Sequence, residues 1–291
     1  MATALLGMPE VAPRPPGMPI GGVAGAIHFG TQGWNYGAWV GPFYPDGTRP
    51  TDYLSLYARA FETVEVDSTF YAIPPEKTVR GWAARVPDHF TFALKMPREI
   101  THERRLVGCG DLVVESAERV RLLGAKLGPV LIQLGPDFGP EQRGALEGFL
   151  PLLPRDVRFA IELRRPGWIG PGLLELLRSF HVALALTDGP FVDRERMIAL
   201  AAHPTADFGY VRWMGPDRRI EDYSRVVVDR QQELGMWAVG LAALAARVTT
   251  VHGYFNNHFQ GHSPASARAM QALLGQRPVE PIALADQTEL F

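Results

Sequence analysis

Short apolar runs alternate with longer segments of helical period from Ile27 to Leu274. Eight of the runs are predicted as strands, at 27–31, 61–67, 90–95, 130–134, 157–162, 182–187, 208–213 and 248–255. Between these strands, the helical period of the apolar residues predicts helices at 51–60, 75–86, 111–127, 141–150, 173–180, 194–202, 231–247 and 263–274. Strand–helix alternation implies a parallel sheet, and eight such units have the size of one barrel. We therefore predict an α/β fold, a TIM (β/α)8-type barrel with parallel strands.

A doubly wound open sheet is the alternative fold for this alternation. That fold usually shows a glycine-rich turn directly after its first strand, followed at once by a helix. Here Gly30 and Gly33 lack the third glycine, and tryptophan-containing loops follow them. The dinucleotide-binding fingerprint is therefore not met.

The two ends of the chain differ in composition from its centre. Residues 1–26 are rich in Pro, Gly, Ala and Met and nearly free of charge, so we expect a flexible extension without a secretory signal. Residues 27–275 are predicted as a single barrel domain. Residues 276–291 contain prolines and no helical period, which predicts a C-terminal tail.

The second predicted strand ends in an unusual pattern of charge. Thr63, Glu65 and Asp67 fall on one face, and two valines fall on the other. Valines packed against helices would leave the two carboxylates lining the mouth of a barrel. An edge strand with a solvated polar face is the alternative.

The same count of positions places polar side chains at the carboxyl ends of the other strands: Lys95, Gln133, Glu162 with Arg164, Asp188, Arg212 and Asn256. The carboxyl ends of barrel strands converge on one rim, where active sites lie. The alternative is a network of ion pairs that only fixes the geometry of the barrel. Because buried pairs often add little stability relative to apolar packing, we favour a functional role.

The overall charge and the cysteine content exclude several classes of protein. With 29 basic and 31 acidic residues, the chain lacks the strongly basic balance of a nucleic-acid-coating protein. The single cysteine, Cys109, excludes internal disulfides and cysteine-based metal clusters and favours a reducing, cytoplasmic setting. No apolar run is long enough to span a bilayer, so we expect no membrane partner.

Several long motifs, in order, resemble the domain of unknown function 72 (YecE-like) family. They are GTQGWNYGAWVGPFYP, TVEVDSTFY, FALKMPREITH, AIELRRPGW, YVRW and YFNNHFQGHSPASA. The resemblance implies a TIM-barrel-like fold and a family without a settled activity. It places family motif positions on Trp34, Tyr36, Trp39, Glu65, Thr69, Phe70, Tyr71, Lys95, His102, Glu162, Arg164, Trp168, Arg212, Asn256 and Asn257.

The sequence departs from the family pattern at two positions. Asp67 stands where relatives more often carry asparagine, and Met214 follows the Tyr-Val-Arg strand where we expect histidine. If that histidine is a base or a ligand in relatives, this chain cannot use it.

The polar rim residues fit an anion better than a metal. No His, Asp or Glu pair has the spacing of a zinc site, and three cations share the rim, so we predict no metal and no cofactor, with room only for a loosely held divalent ion. As groups that bind an anionic small molecule or nucleic acid we predict Trp34, Tyr36, Thr69, Tyr71, Lys95, Gln133, Arg164, Arg212, Asn256 and Asn257. The predicted catalytic groups are Glu65, His102, Glu162 and Asp188.

Two other functions stay open. Glu65 and Glu162 could serve as the carboxylate pair of a glycoside hydrolase, beside aromatic side chains that stack on sugars. The rim could instead recognise a ligand without converting it, as a binding or recruitment module.

The segment QTELF resembles the short peptides by which bacterial replication and repair proteins dock on the DNA sliding clamp. Gln287, Leu290 and Phe291 would then contact the clamp and bring the barrel to DNA. The alternative is that Leu290 and Phe291 fold back on the barrel.

Overall fold

The computed structural model describes residues 25–285. It contains the eight predicted strands: β1 (Ala26–Thr31), β2 (Thr63–Val66), β3 (Thr91–Lys95), β4 (Leu127–Gln133), β5 (Phe159–Glu162), β6 (Ala183–Asp188), β7 (Phe208–Trp213) and β8 (Thr250–Phe255). All pairings are parallel: β2 to β8 pair in the order of the chain, and β1 pairs with β8. The predicted TIM-type barrel is confirmed.

Helices connect the strands and cover the outside of the barrel. They are α1 (Tyr53–Ala60), α2 (Glu76–Ala83), α3 (Gly110–Arg121), α4 (Arg143–Phe149), α5 (Pro171–Ser179), α6 (Arg194–Leu200), α7 (Gln231–Ala245), α8 (Asn257–Gln260), α9 (Ser263–Leu273) and α10 (Pro281–Ala285). Each predicted helix is present. The loop predicted after β3 contains a π-helical turn at Glu99–Glu103.

A tyrosine closes the barrel between β1 and β2. The Tyr57 hydroxyl donates to the Thr63 carbonyl at 3.1 Å and accepts from the Thr31 amide at 2.8 Å. It therefore bridges the two strands, below the main-chain hydrogen bond from the Gly33 amide to the Glu65 carbonyl at 2.8 Å. Gly30 allows the close approach, because a Cβ there would lie 2.0 Å from the Thr63 carbonyl oxygen.

Two separate cores hold the barrel together. The larger one lies between the sheet and the helices, where apolar side chains of the outward strand faces pack. The smaller one fills the barrel interior with Ala93, Leu131, Ala160, Ala183, Ala185, Phe208, Tyr210 and Tyr254. Four alanines on neighbouring strands leave room for three large rings from β7 and β8, so the interior is packed rather than open. Charged side chains lie above this layer, at the carboxyl ends of the strands.

The predicted terminal segments fall mostly outside the described residues, which exclude 1–24 and 286–291. Residues 276–285 of the predicted tail are described, and they include α10, which the sequence did not predict. The buried Leu284 side chain belongs to α10, and the Arg59 guanidinium donates to the Ala283 carbonyl at 3.4 Å. None of the helices within residues 25–285 combines the length and the apolar character needed to cross a bilayer.

Candidate functional site at the carboxyl-terminal rim

One buried arginine organises the charged layer at the top of the barrel. Arg212 on β7 donates two hydrogen bonds to Glu65 of β2, from Nε to Oε2 at 2.8 Å and from Nη2 to Oε1 at 2.7 Å. Its Nη1 donates to Glu162 of β5 and, at 3.1 Å, to the Gln133 side chain. The Tyr210 hydroxyl donates to Glu65 at 2.7 Å. These residues, which we name the floor network, join four strands across the barrel.

The floor network is ionised. Burial raises the pKa of Glu162, but Arg212 and Arg164 outweigh burial and lower it to about 2. Burial lowers the pKa of Arg212, and Glu65 and Glu162 more than reverse this, so the guanidinium stays protonated. The network is therefore a set of paired charges at neutral pH, with Arg164 as the second partner of Glu162 at 2.7 Å.

A second ion pair lies beside the floor network and closer to solvent. Lys95 Nζ is 2.6 Å from Asp67 and 3.5 Å from Glu65. The Asp67 side chain is 38% exposed and that of Lys95 only 10%. Burial raises the pKa of Asp67, but the charge of Lys95 outweighs it and lowers that pKa. The positive charge of Lys95 is therefore already balanced by Asp67 at the rim.

Two adjoining cavities open above the floor network, and we call them together the rim cleft. The larger, about 220 Å³, is lined by Gln32, Tyr36, Asp67, Phe70, Tyr71, Lys95, Gln133, Met214, Arg218, Tyr223, Asn256, Asn257 and His258. The smaller, about 100 Å³, is lined by Glu162, Arg164, Thr187, Gly189, Pro190, Phe191, Met214, Gly215, Asp217, Arg218, Asn256 and His258. Met214, Arg218, Asn256 and His258 border both, so these four side chains lie where the cavities meet.

The loop between β7 and α7, residues 214–230, forms one wall of the rim cleft. Its Tyr223 ring packs edge-on against Tyr36, with ring centroids 6.0 Å apart, and its hydroxyl lies 3.1 Å from His258 Nε2. The Tyr223 carbonyl faces His262 Nδ1 at 2.8 Å. Arg218 on the same loop is exposed and has no acidic partner within residues 25–285. It is therefore the cleft cation most available to a ligand.

His258 is the titratable imidazole of the cleft. Burial and then the charge of Arg218 lower the pKa of His258, so the ring is neutral at pH 7. Its Nε2 lies 3.1 Å from the Tyr223 hydroxyl, and a hydrogen bond with the Ile220 main chain partly offsets the lowering of its pKa. The neutral ring borders both cavities, where it can contact a bound ligand.

Most of the predicted rim residues come together in the structure. Tyr36, Tyr71, Lys95, Gln133, Asn256 and Asn257 line the larger cavity, and Glu162 and Arg164 line the smaller one. His102 lines neither cavity. Its ring packs edge-on against Phe70 at 5.0 Å, and burial followed by the charge of Arg164 lowers its pKa.

Asp188 does not face the barrel interior, and the prediction that placed it at the site is wrong. Its carboxylate pairs with Arg194 of α6 at 2.6 and 3.0 Å and accepts from Trp237 of α7 at 2.7 Å. Strand β6 continues regularly through Asp188, so Thr187 faces inward and Asp188 faces the helices.

Four other predicted residues line neither cavity of the rim cleft. The guanidinium of Arg212 and the carboxylate of Glu65 are fully buried and bonded to each other. The Trp34 ring packs edge-on against Trp82 and Phe92 in the outer core. The Thr69 hydroxyl bonds to the main chain of Val66 and Lys95 and so joins β2 to β3.

Among the cleft residues that were not predicted as ligand-contacting residues are Gln32, Met214, Arg218, Tyr223 and His258. Gln32 follows directly after β1, and its amide bonds to the Met214 sulfur at 2.9 Å and to Asn256 at 2.8 Å. In the sequence, the position of Gln32 one residue beyond a strand end indicated that its side chain could reach the rim. Arg218 and Tyr223 lie in an irregular loop, where no period marks an inward face.

The described residues contain no group of three His, Cys, Asp or Glu side chains arranged to hold a metal ion. Gln287, Leu290 and Phe291, predicted to contact a partner, lie outside the described residues.

Comparisons with known proteins agree with the motifs. The UPF0759 protein YecE of Escherichia coli (strain K12) is 34% identical over 157 residues, which cover 53% of this chain and 55% of that protein, so the match spans about half of its length. The UPF0759 protein YunF of Bacillus subtilis (strain 168) is 26% identical over 273 residues, covering 85% of this chain and 94% of that protein.

Solved structures of DUF72 family proteins share the fold. The one from Thermotoga maritima MSB8 superimposes with a TM-score of 0.73 at 23% identity, covering 86% of this chain and 100% of that one. The one from Enterococcus faecalis V583 superimposes with a TM-score of 0.68 at 21% identity, covering 88% of this chain and 100% of that one. A family model described as "Protein of unknown function DUF72" matches residues 28–289, and the chain therefore belongs to this family.

Proposed function

We propose that this protein binds a small phosphorylated ligand in the rim cleft, with Arg218 as the main partner of the phosphate. One observation carries the proposal. Arg218 borders both cavities and has no acidic partner in the described part of the chain, whereas Lys95, Arg164 and Arg212 each pair with a carboxylate. An arginine fork suits phosphate oxygens better than a point charge does.

The charge balance of the cleft supports an anion. The floor network with Arg164 and the pair Lys95–Asp67 contributes three cations and three carboxylates, which cancel. Arg218 then adds a positive charge. Asp217, which lines the smaller cavity, is balanced by Arg219 at 3.4 Å. Asn256 and Gln133 supply amides beside it, which can bind ligand oxygens without changing the charge.

The aromatic side chains of the cleft favour a ligand that also carries a ring. Tyr36, Phe70, Tyr71 and Tyr223 all line the larger cavity, and Tyr71 is 78% exposed. Exposed aromatic faces stack on sugar rings and on bases. The two cavities together reach the lower end of the volume range of small-molecule sites, about 300–1,000 Å³, which favours a single small compound over a polymer.

Acid–base catalysis by the Glu65–Glu162 pair is not part of the proposal. Both carboxylates are bonded to the same guanidinium, and the low pKa of Glu162 keeps this residue from donating a proton at neutral pH. A glycoside hydrolase needs one carboxyl group with a raised pKa, so this geometry disfavours that alternative.

Isothermal titration calorimetry with inorganic phosphate, ribose 5-phosphate, adenosine 5′-monophosphate and a ten-nucleotide single-stranded DNA tests the proposal. We expect adenosine 5′-monophosphate or ribose 5-phosphate to bind, and Arg218→Ala to weaken that binding by about tenfold or more, as expected for loss of a charge-assisted hydrogen bond. Conversion of the bound compound, followed in the same samples by phosphate release, would make the protein an enzyme rather than a binding module.

Arg225→Ala is the matched control. Arg225 lies on the same loop, its side chain is 77% exposed, and neither it nor its partner Asp222 lines either cavity. Equal losses in both variants would mean that general surface charge is responsible. If only the DNA binds, the ligand is a nucleic acid and the proposal of a small compound is wrong. If none of the four compounds binds at millimolar concentration, the proposal is overturned.

Clamp docking through Gln287, Leu290 and Phe291 stays a separate proposal, based on the sequence alone. Titration of a labelled peptide of residues 285–291 against a bacterial clamp tests it. Micromolar binding that the Leu290→Ala, Phe291→Ala double substitution abolishes would support a link to DNA replication or repair.

A further inference from the structure

A second cavity lies at the opposite end of the barrel, where β5, β6 and β7 begin. Its volume is about 600 Å³, larger than either cavity of the rim cleft. Phe159 and Val182 contribute apolar walls, and Arg155, Arg158, His181 and Asp207 contribute charged or titratable groups. We call it the lower cavity. It shares no lining residue with the rim cleft.

The two arginines of the lower cavity are not neutralised by neighbouring carboxylates. Within residues 25–285, neither Arg155 nor Arg158 forms an ion pair with an acidic side chain. Asp156 lies between them in sequence, but both of its carboxylate oxygens bond to Arg121, at 2.7 and 2.8 Å. The Arg158 guanidinium lies over the Phe208 ring, 5.6 Å from its centroid. With Asp207 as the one acidic lining residue, two arginines leave the cavity net positive.

The backbone at His181 gives an independent indication. His181 has a φ of 54°, in the left-handed region that glycine normally occupies after a helix, and it follows α5. Its amide donates to the Arg178 carbonyl at 3.1 Å, as this type of helix end requires. A histidine accepts conformational strain here that glycine would avoid, and such strain is concentrated at functional positions. The strain is explained if the imidazole contributes to the cavity that it lines.

From this combination we propose that the lower cavity is a second ligand site, for an amphipathic anion. The anionic group, a carboxylate or a phosphate, binds between Arg155 and Arg158, and His181 donates a further hydrogen bond from a ring N–H. The apolar chain or ring of the ligand packs against Phe159 and Val182, and this contact removes its surface from water. The site is independent of the ligand proposed for the rim cleft.

Calorimetric titration with sodium decanoate and with octyl phosphate tests this site, and 1-decanol serves as the uncharged comparison. We expect one saturable site for at least one of the two anions, and none for the alcohol. The double substitution Arg155→Ala, Arg158→Ala should weaken the binding by about tenfold or more, since each arginine contributes a charge-assisted hydrogen bond. A preference between the two anions identifies the head group.

Three further variants separate a site from a nonspecific effect. Arg218→Ala and Arg219→Ala at the far rim should leave decanoate and octyl phosphate binding unchanged. His181→Gly keeps the backbone conformation and removes the imidazole, so it should weaken binding while the thermal midpoint of unfolding is kept or raised. Absence of saturable binding at about 1 mM, or equal affinity in the double variant with its thermal midpoint unchanged, would overturn the proposal.

Discussion

The floor and the loop wall of the rim cleft are built in opposite ways. In the floor network, the donors and acceptors of Arg212, Glu65 and Glu162 bond to one another across three strands, and all three side chains are buried. In the wall, Arg218 and Tyr223 belong to an irregular loop, and a few contacts with histidines and Tyr36 hold Tyr223. The difference indicates that the floor maintains the shape of the barrel mouth, while the wall contacts the ligand.

The energetics of buried charges explains why the two regions should respond differently to substitution. Removing one partner of a buried pair leaves an uncompensated charge in the interior and costs about 3–5 kcal/mol, whereas exposed pairs contribute about 0–1 kcal/mol. Ligand binding should therefore be most sensitive where stability is least sensitive, at the wall.

The largest effect is expected for Arg212→Met. Glu65 and Glu162 would remain buried without their shared partner, so the free energy of unfolding should fall by about 3–5 kcal/mol. Urea denaturation measures this loss. Arg218→Ala, the comparison in the wall, should change the unfolding free energy by less than about 1 kcal/mol. Normal stability of Arg212→Met together with lost ligand binding would reverse the assignment of floor and wall.

Acid unfolding should show the next largest effect, through Glu162. The pKa of Glu162 falls from 4.5 to about 2 on folding, so its stabilising contribution is complete above about pH 4.5 and is lost as the pH falls through about 2. Glu162→Gln lacks this contribution but keeps an acceptor oxygen, so it should destabilise less than Arg212→Met.

The measurement is the difference in unfolding free energy between wild type and Glu162→Gln, followed from pH 6 to pH 2. It should be largest near pH 6 and shrink steadily below pH 4.5. A difference that is constant with pH would show that Glu162 is not held ionised by its arginines.

The sequence predicted the floor much better than the wall, because the two depend on different information. A strand alternates its faces with a period of two, so counting along β2, β5 and β7 was enough to bring Glu65, Glu162 and Arg212 to one side. The same counting failed at Asp188, because the true end of β6 lies one residue beyond the predicted end. The loop 214–230 has no period, so nothing local showed that Arg218 and Tyr223 fold back over the strand ends.

Asp67→Asn should sharpen the comparison by changing the charge of the cleft without touching the loop. The substitution frees Lys95 of its partner at 2.6 Å. Because the pair is partly exposed, one added positive charge should strengthen binding of a phosphorylated ligand by roughly three- to tenfold, about 1 kcal/mol.

Calorimetry at low and high salt measures this gain, which should shrink as the salt concentration rises. Ser68→Ala, at an exposed neighbouring position that lines neither cavity, is the control and should leave the affinity unchanged. Weaker binding by Asp67→Asn would mean that Asp67 itself contacts the ligand.

The smallest expected effect, a change in the pKa of His258, tests directly whether Arg218 faces the cleft. Two causes lower this pKa, burial first and the charge of Arg218 second, so Arg218→Ala should raise it towards the ordinary value. Proton NMR titration of the imidazole resonances measures the change. His102 is the internal control, since burial and then Arg164 lower its pKa. Its titration should stay unchanged in Arg218→Ala and move upward in Arg164→Ala. If both histidines respond equally to Arg218→Ala, the arginine acts as general surface charge, and the distinction between a paired floor and an unpaired wall loses its electrostatic basis.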